Sequence, residues 1–363
     1  YNAAEQMCVL VKSDSPMEMY LRKVGQGSYL KTIPGEKQKH FVKHALQWVV
    51  KQPRDWPLLL DNCVGRKQIP LIMLAAPALR LSARPVYHFF HDLALSYHPL
   101  GYLVRTLAFH LLSPVAICNS KFTAEHIHPL VGNVWGILYQ PLDLERFNPC
   151  PSGSPPPELQ AILRSGARLM LTPSRINKPE MINDKNLQAL IPVLAHLKAI
   201  GHFYHSVVIG EDRSPGQINS HALLKSAEQA GVADRFTILP PTFVIEDYYK
   251  CADVVVTLAP REPFGRTVIE AIACAVPVVG SRTGGISEIL QNFAPEWLVD
   301  PNNPVATAET IVRIATDPNT STVLAKGQSW VKTQCSLVGY ARRIMEITGL
   351  NPTEFKLTLS NNY

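Results

Sequence analysis

The chain lacks several features that would each have pointed to a chemistry. It has no Asp-x-Asp pair, the usual acidic handle for a divalent metal, so no metal and no other cofactor is expected. Its cysteines, at 8, 63, 118, 150, 251, 274 and 335, are odd in number, scattered and never spaced Cys-x-x-Cys. That speaks against a disulfide scaffold or a zinc site, and for reduced thiols in a cytoplasmic setting. No apolar run reaches the about 18 residues of a membrane-spanning helix; PLIMLAAPAL at 70–79 falls well short. No leader-peptide pattern is read at the start. No dense Lys/Arg run with interleaved aromatics appears, so nucleic acid is not an expected partner. VGQGSYL at 24–30 begins like a dinucleotide fingerprint but has no third glycine. SRTGGIS at 281–287 is glycine-rich without the Lys-Ser/Thr of a triphosphate loop.

What is present is an ordinary globular composition, 46% hydrophobic over 363 residues, which is more than one core usually organises. Two domains are expected. From residue 168 onward RLMLTPS, HSVVIGE, RFTILP, DVVVTLA, VPVVGS and WLVD alternate with amphipathic stretches such as 185–199. Short β-branched runs separated by helical segments predict βαβ units and a parallel sheet. Strands apolar almost throughout are those of a sheet covered on both faces. The first half repeats the rhythm with PLLLDN at 57–62, PVYHFFHD at 85–92, PVAICNS at 114–120 and NVWGILYQP at 133–141. CPSGSPPPE, 150–158, reads as a linker. The stretch 336–350 reads as a helix ended by Gly349 and Pro352. The expected organisation is therefore 1–150, 151–335 and a closing segment 336–363 that returns to the first domain. Such a domain normally opens with a buried strand, yet residues 3–12, AAEQMCVLVK, read as helical, and the opening strand is unaccounted for.

The charge is unevenly spread. Residues 1–150 carry 16 Lys and Arg against 10 Asp and Glu, and the remainder 19 against 19, so the whole +6 lies in the first half. This favours an anionic partner there, a phosphorylated acceptor or an acidic lipid surface. In GEKQKHFVKHALQWVV, 35–50, Lys37, Lys39 and Lys43 alternate with Phe41, Val42, Leu46, Trp48 and Val49. The pattern is first that of a helix packed on a sheet with a wet basic face; peripheral contact with an anionic membrane is the second reading.

The densest chemistry lies in DVVVTLAPREPFGRTVIEAIACAVPVVGSRTGGISEI, 253–289. It reads as a strand, a loop with Glu262, Pro263, Phe264 and Gly265, a helix from about Arg266, a second strand and a second glycine-rich turn. Helix N-termini present unpaired N–H groups and partial positive charge, so the amides of Arg266, Thr267 and Val268 suit a phosphate. Gly265 admits close backbone approach. Glu270, one turn into the helix, can accept from ribose hydroxyls, and Glu262 from sugar hydroxyls. Two glutamates eight apart arise by chance as surface charges, but here strand, PFG, helix, strand and Thr-Gly-Gly turn are in register.

These motifs resemble the retaining GT-B glycosyltransferases of family 4 (glycosyl transferases group 1), whose E-x7-E signature matches Glu262 and Glu270 with PFG after the first Glu. RLMLTPSRINKPEMINDKNLQAL, 168–190, resembles the family's strand, Arg-containing loop and Lys. VVIGED resembles its next strand, DYYKCADVVV the approach to the Glu loop, and ILYQPLDLERFNP, 137–149, its pre-linker segment. HFFHDL, 88–93, resembles the strand end that carries the family's active-site His. The resemblance implies an α/β, GT-B architecture of two doubly wound Rossmann-like domains facing a central cleft. Arg175 and Lys185 would hold a diphosphate, with Lys178 a competitor in a loop longer than usual. Glu262 would hold the donor sugar and Glu270 the ribose, Phe264 and Gly265 would offer amides to the sugar, and His91 would point to the anomeric centre. Asp92 reads as a brace for its loop. Tyr139-Gln140-Pro141 departs from the family's Asn-Gly.

The function so implied is transfer of a hexose, with glucose as the specific expectation, from a UDP-sugar to a glycan or glycolipid acceptor in polysaccharide assembly. Protein cations rather than a metal would stabilise the leaving diphosphate. Rival readings are transfer to a sugar phosphate, as in sucrose-phosphate synthases, a sugar-nucleotide 2-epimerase, and a non-catalytic nucleotide-sugar sensor. The expected location is cytoplasmic, with contact to the inner face of a membrane.

Overall fold

A computed structural model describes residues 8–35, 37–61, 68–96, 98–150, 153–178 and 185–349. The chain divides into two compact units. Unit 1 comprises the described residues up to Cys118, Ala124–Ile137 and those from Ala341; unit 2 comprises Asn119–Thr123 and Leu138–Tyr340.

Unit 1 begins with β1, Val9–Lys12, paired in parallel with β2, Leu30–Ile33. The helical reading of 3–12 is thus corrected where it is described: Val9, Leu10 and Val11 are a β-favouring run, and residues 1–7 lie outside the described residues. The first helix is instead Pro16–Lys23, where Ser15 accepts from Glu18 N and proline occupies the first turn. The four runs predicted after it form β3 Leu58–Asp61, β4 Val86–Phe90, β5 Val115–Cys118 and β6 Val134–Ile137, a parallel sheet in that order. Its apolar interior is split. One cluster gathers Leu46, Val49, Ile72 and Leu79. The other gathers Phe90, Phe109, Ile127 and Leu130. The helix Gln38–Val50 spends Leu46 and Val49 on the first cluster, with Val42 and Trp48 packed against it, while Lys39 and Lys43 face outward. The last described helix, Leu337–Thr348, sets Arg343 over the Trp135 ring at 5.3 Å.

Unit 2 is built on all six runs predicted after residue 168: β7 Arg168–Pro173, β8 Tyr204–Ile209, β9 Phe236–Leu239, β10 Val254–Thr257, β11 Val278–Ser281 and β12 Leu298–Val299. Every pairing is parallel, in the order β12-β11-β10-β7-β8-β9. Val254, Val255 and Val256 are buried, as are Leu169, Met170 and Leu171, because helices cover both faces. After β9 the chain crosses to the far side of β7, so the order reverses between β7 and β10. Side chains stitch that seam: Asp253 accepts from Leu169 N at 2.7 Å and Thr172 Oγ1 donates to Val256 O at 2.8 Å. The proline-rich stretch does not simply link: Pro157 opens the helix Pro157–Arg164, a position where a missing N–H costs nothing. The stretch 185–199 starts irregularly and becomes the helix Leu190–Ala199.

Among the described residues no helix is long and apolar enough to cross a membrane. The described cysteines are free, and burial pushes the thiols of Cys118, Cys274 and Cys335 up to about 12; Cys63 lies outside the described residues.

Candidate functional site

In doubly wound sheets, ligands bind beyond the carboxyl ends of the strands where the strand order reverses. In unit 2 that point is the end of β7 beside the end of β10. A concavity of about 140 Å³ lies there, lined by Thr172, Pro173, Ser174, Arg175, Lys185, Thr257, Ala259, Glu262, Arg266 and Thr267. Five of the residues singled out by sequence therefore converge on one crevice.

The helix Arg266–Ala273 supplies its floor. Gly265 caps it at φ +105°, a left-handed conformation, and a Cβ there would also press to 3.2 Å from Ile286. No side chain caps this N-terminus. Among the described residues, the amides of Phe264, Gly265, Arg266 and Thr267 have no acceptor. The Val268 amide does not share that role, because it donates to Gly265 O at 2.9 Å.

The charged side chains are arranged in two ways. Lys185 Nζ lies 2.5 Å from Glu262 Oε2, the two being mostly buried. Arg175 is exposed, and no acceptor engages its guanidinium among the described residues. Lys178 lines a different, neighbouring concavity of about 460 Å³ with Ile176, Asn177, Arg213, Ser214 and Asn219, so Lys185 and not Lys178 shares the crevice with Arg175.

Glu270 does not line the crevice. It is 8% exposed, with Oε1 accepting from Arg266 Nε at 2.8 Å and Oε2 from Tyr249 OH at 2.9 Å. Burial and the Glu270 carboxylate push the Tyr249 hydroxyl well up, so it stays a donor. Each Glu270 oxygen retains a second lone pair beyond these bonds. Phe264 is core: the residue is 2% exposed and its ring stacks on Tyr139 at 5.7 Å.

The glycine turn set aside as a triphosphate loop backs this site. Gly285 N donates to Glu262 O at 2.8 Å, and a Cβ on Gly285 would stand 2.5 Å from Phe264 Cα. Sequence reading also missed Thr172, Ser174 and Thr257, whose only signal was their place at strand ends.

His91 belongs to unit 1. It follows β4, and its Nε2 donates to Asp61 Oδ1 at 2.6 Å from the end of β3. That hydrogen bond fixes which ring nitrogen carries the proton. Asp92 accepts from Ala94 N at 2.7 Å and so braces the turn, where Ala94 has φ 49°.

Comparison with known proteins meets this geometry. The family model described as glycosyl transferases group 1 matches residues 172–328. Unit 2 carries a group 1 glycosyl transferase domain. That domain contains every crevice residue, since the match begins at Thr172 and runs past Thr267. A D-inositol 3-phosphate glycosyltransferase of Mycolicibacterium gilvum is 32% identical over 162 residues, 42% of this chain and 37% of that protein. The one from Thermomonospora curvata is 27% identical over 198 residues, 53% of this chain and 46% of that protein. The matches thus span less than half the length of these relatives. Among solved structures, Anabaena HepE in complex with UDP and glucose superposes with TM-score 0.77 at 18% identity, covering 94% of this chain and 91% of that one. Sucrose-phosphate synthase from Thermosynechococcus elongatus gives 0.64 at 19% identity, covering 87% and 79%. The fold is GT-B, with two Rossmann-like domains.

Proposed function

We propose that the chain is a retaining glycosyltransferase that moves a hexose, glucose first among candidates, from a UDP-sugar to a glycan or glycolipid acceptor in polysaccharide assembly. One observation carries the reading. At the strand-order reversal, a guanidinium (Arg175) and helix N-terminal amides (Arg266, Thr267) that have no acceptor among the described residues share a crevice with a Lys185–Glu262 pair. Cations and amide dipoles of that kind suit a diphosphate, and a carboxylate beside them suits sugar hydroxyls. The likeness to HepE with UDP and glucose and to group 1 relatives supports the same reading.

The chemistry then follows from the residues. The bond from the anomeric carbon to the leaving phosphate oxygen breaks with charge developing on the diphosphate. Arg175, Lys185 and the helix N-terminus stabilise that charge in place, so the barrier falls without a metal. Glu262, released from Lys185 as the phosphates take up that cation, accepts from the donor sugar. The amides of Phe264 and Gly265 donate to it, and Glu270 accepts from the ribose. His91, oriented by Asp61, serves the acceptor step. The division of labour is a donor domain at 151–335 and an acceptor-side domain at 1–150, with 336–363 attached to the latter, in a cytoplasmic protein that touches an anionic membrane peripherally.

A second reading of the acceptor is a phosphorylated polyol or sugar. The surplus of positive charge confined to residues 1–150 favours it, as do relatives whose substrate is an inositol phosphate by name. The test is incubation with labelled UDP-glucose in excess EDTA, alone and with glycan, glycolipid and inositol-phosphate acceptors. Label should pass to one acceptor class and not without acceptor. Isomerised UDP-sugar in the absence of acceptor would instead make the protein an epimerase, and binding with no turnover a sensor.

A further inference from the structure

The Pro263 carbonyl, in the middle of the Glu262–Gly265 loop, is held from behind. Ser120 Oγ donates to it at 2.5 Å and Thr123 Oγ1 at 3.1 Å, and both residues are fully buried. Ser120 Oγ in turn accepts from Thr123 N at 2.9 Å. Glu288 fixes this turn: Oε1 accepts from Lys121 N at 3.0 Å and Oε2 from Phe122 N at 3.2 Å. Glu288 Oε1 also accepts from Tyr139 OH at 2.9 Å, and the Tyr139 ring stacks on Phe264. Burial, and then the Glu288 carboxylate, push the Tyr139 hydroxyl up, which keeps it a donor.

A carbonyl and the next residue's N–H belong to one planar trans peptide and point in opposite directions. The described residues contain no cis peptide. Anchoring Pro263 O toward Ser120 and Thr123 therefore aims the Phe264 N–H the other way, and that amide has no acceptor among the described residues. Packing alone would not require two buried hydroxyls to converge on one carbonyl. A peptide held this way cannot rotate to hydrogen-bond elsewhere, so its amide is presented without reorganisation.

We propose that Ser120, Thr123, Tyr139 and Glu288 are positioning residues that lock the Pro263–Phe264 peptide so that its amide meets the hexose of the donor. They touch no ligand themselves. The proposal rests on the UDP-sugar reading of the crevice and narrows it to the sugar end of the donor.

The test compares UDP-glucose with UDP, which lacks the sugar, by calorimetry on the full chain. Thr123→Val keeps shape and removes the hydroxyl, and Ser120→Ala does the same on the other side. In the double variant the affinity for UDP-glucose should fall about fivefold while that for UDP stays within about twofold, since one lost hydrogen bond of this kind is worth roughly 1 kcal/mol. The KM for UDP-glucose should rise and kcat fall, and Thr123→Ser should restore both. A ratio of UDP-glucose to UDP affinity unchanged from wild type overturns the proposal, even if overall stability has dropped, because loss of fold weakens both ligands together. Should the double variant not fold, the same ratio is read on Thr123→Val and on Tyr139→Phe singly, with the same two outcomes. Wild-type protein that binds neither ligand would sink the UDP-sugar reading itself, a result distinct from an unchanged ratio.

Discussion

Both units are parallel α/β layers, yet they prepare a site to very different degrees. In unit 2 the order β12-β11-β10-β7-β8-β9 reverses once, and the loops after β7 and β10 must part there, one rising to each face. The crevice left behind is polar because strand-end hydroxyls, a helix start and charged loops meet in it, over one continuous core. In unit 1 the strands β3-β4-β5-β6 follow chain order without reversal, β1 and β2 form a sheet of their own, and the core is split in two. There His91 is paired with Asp61, and Arg84 is held by the carbonyls of Trp56, Val49 and Gln52. On the proposed reading, donor recognition would be a property of unit 2's topology, and whatever unit 1 contributes would be carried by single residues and net charge. Variants in each unit test that contrast, with UDP affinity as the common measure.

The largest effect is expected from Gly285→Ala. The new methyl would stand 2.5 Å from Phe264 Cα and 2.6 Å from Pro263 O, backbone atoms that cannot step aside alone. Overpacking of this kind costs about 1–3 kcal/mol or more, and here it falls on the Glu262–Gly265 loop itself. UDP-glucose binding should become undetectable with a lowered melting temperature. Gly132→Ala in unit 1 is the control: its φ of +78° costs about 1–2 kcal/mol, but nothing lies within 4 Å of the added methyl, so UDP affinity should not change.

Next comes Glu270→Ala. It strands the hydroxyl of fully buried Tyr249 and frees Arg266, so both stability and UDP binding should each fall by about 1–3 kcal/mol, read by urea unfolding and calorimetry. Unchanged UDP affinity with lost stability would reduce Glu270 to a brace. Arg175→Ala should act on binding alone, because the guanidinium is exposed and has no acceptor among the described residues. Loss of one charge-assisted contact to phosphate predicts about a tenfold weaker UDP complex at unchanged melting temperature. Lys178→Ala, in the neighbouring concavity, should weaken UDP far less; the reverse ranking would move the diphosphate out of the crevice.

Much of this was legible before the fold was known, and unevenly so. All six strands of unit 2 were read from apolar β-branched runs, because strands buried on both faces leave little room for polar residues. Glu262, Gly265 and Arg266 were read from a strand–loop–helix passage only 37 residues long, 253–289, in which sequence neighbours are spatial neighbours. What stayed hidden depends on distant parts of the chain. The Lys185–Glu262 pair, the Tyr249–Glu270 bond and the hold of Ser120 and Thr123 on Pro263 join positions no local pattern connects. β1 was misread because a four-residue strand offers too few positions for period 2 to stand out from 3.6. The turn at 281–287 was dismissed for lacking a lysine, when its role is to let another loop's backbone come close.

The smallest effects on UDP affinity should come from unit 1, and they decide whether the contrast holds. His91 is tied to Asp61 on a strand end of that unit, so on the proposed division of labour His91→Ala should leave UDP binding within about twofold of wild type. If it serves the acceptor step, kcat should drop with little change in donor KM, the pattern of an interaction made only in the transition state. Neutralising Lys37, Lys39 and Lys43 together should also spare UDP. These lysines are exposed, while the apolar residues of the same helix, Leu46 and Val49, are spent on the core, so only a charge effect remains to be lost. The triple variant should need more acceptor, or detach from anionic vesicles, with a salt dependence that the His91 variant does not share. Loss of UDP binding on His91→Ala, with wild-type behaviour of the triple variant in both assays, would place donor recognition in unit 1 and end the division of labour drawn from the topology.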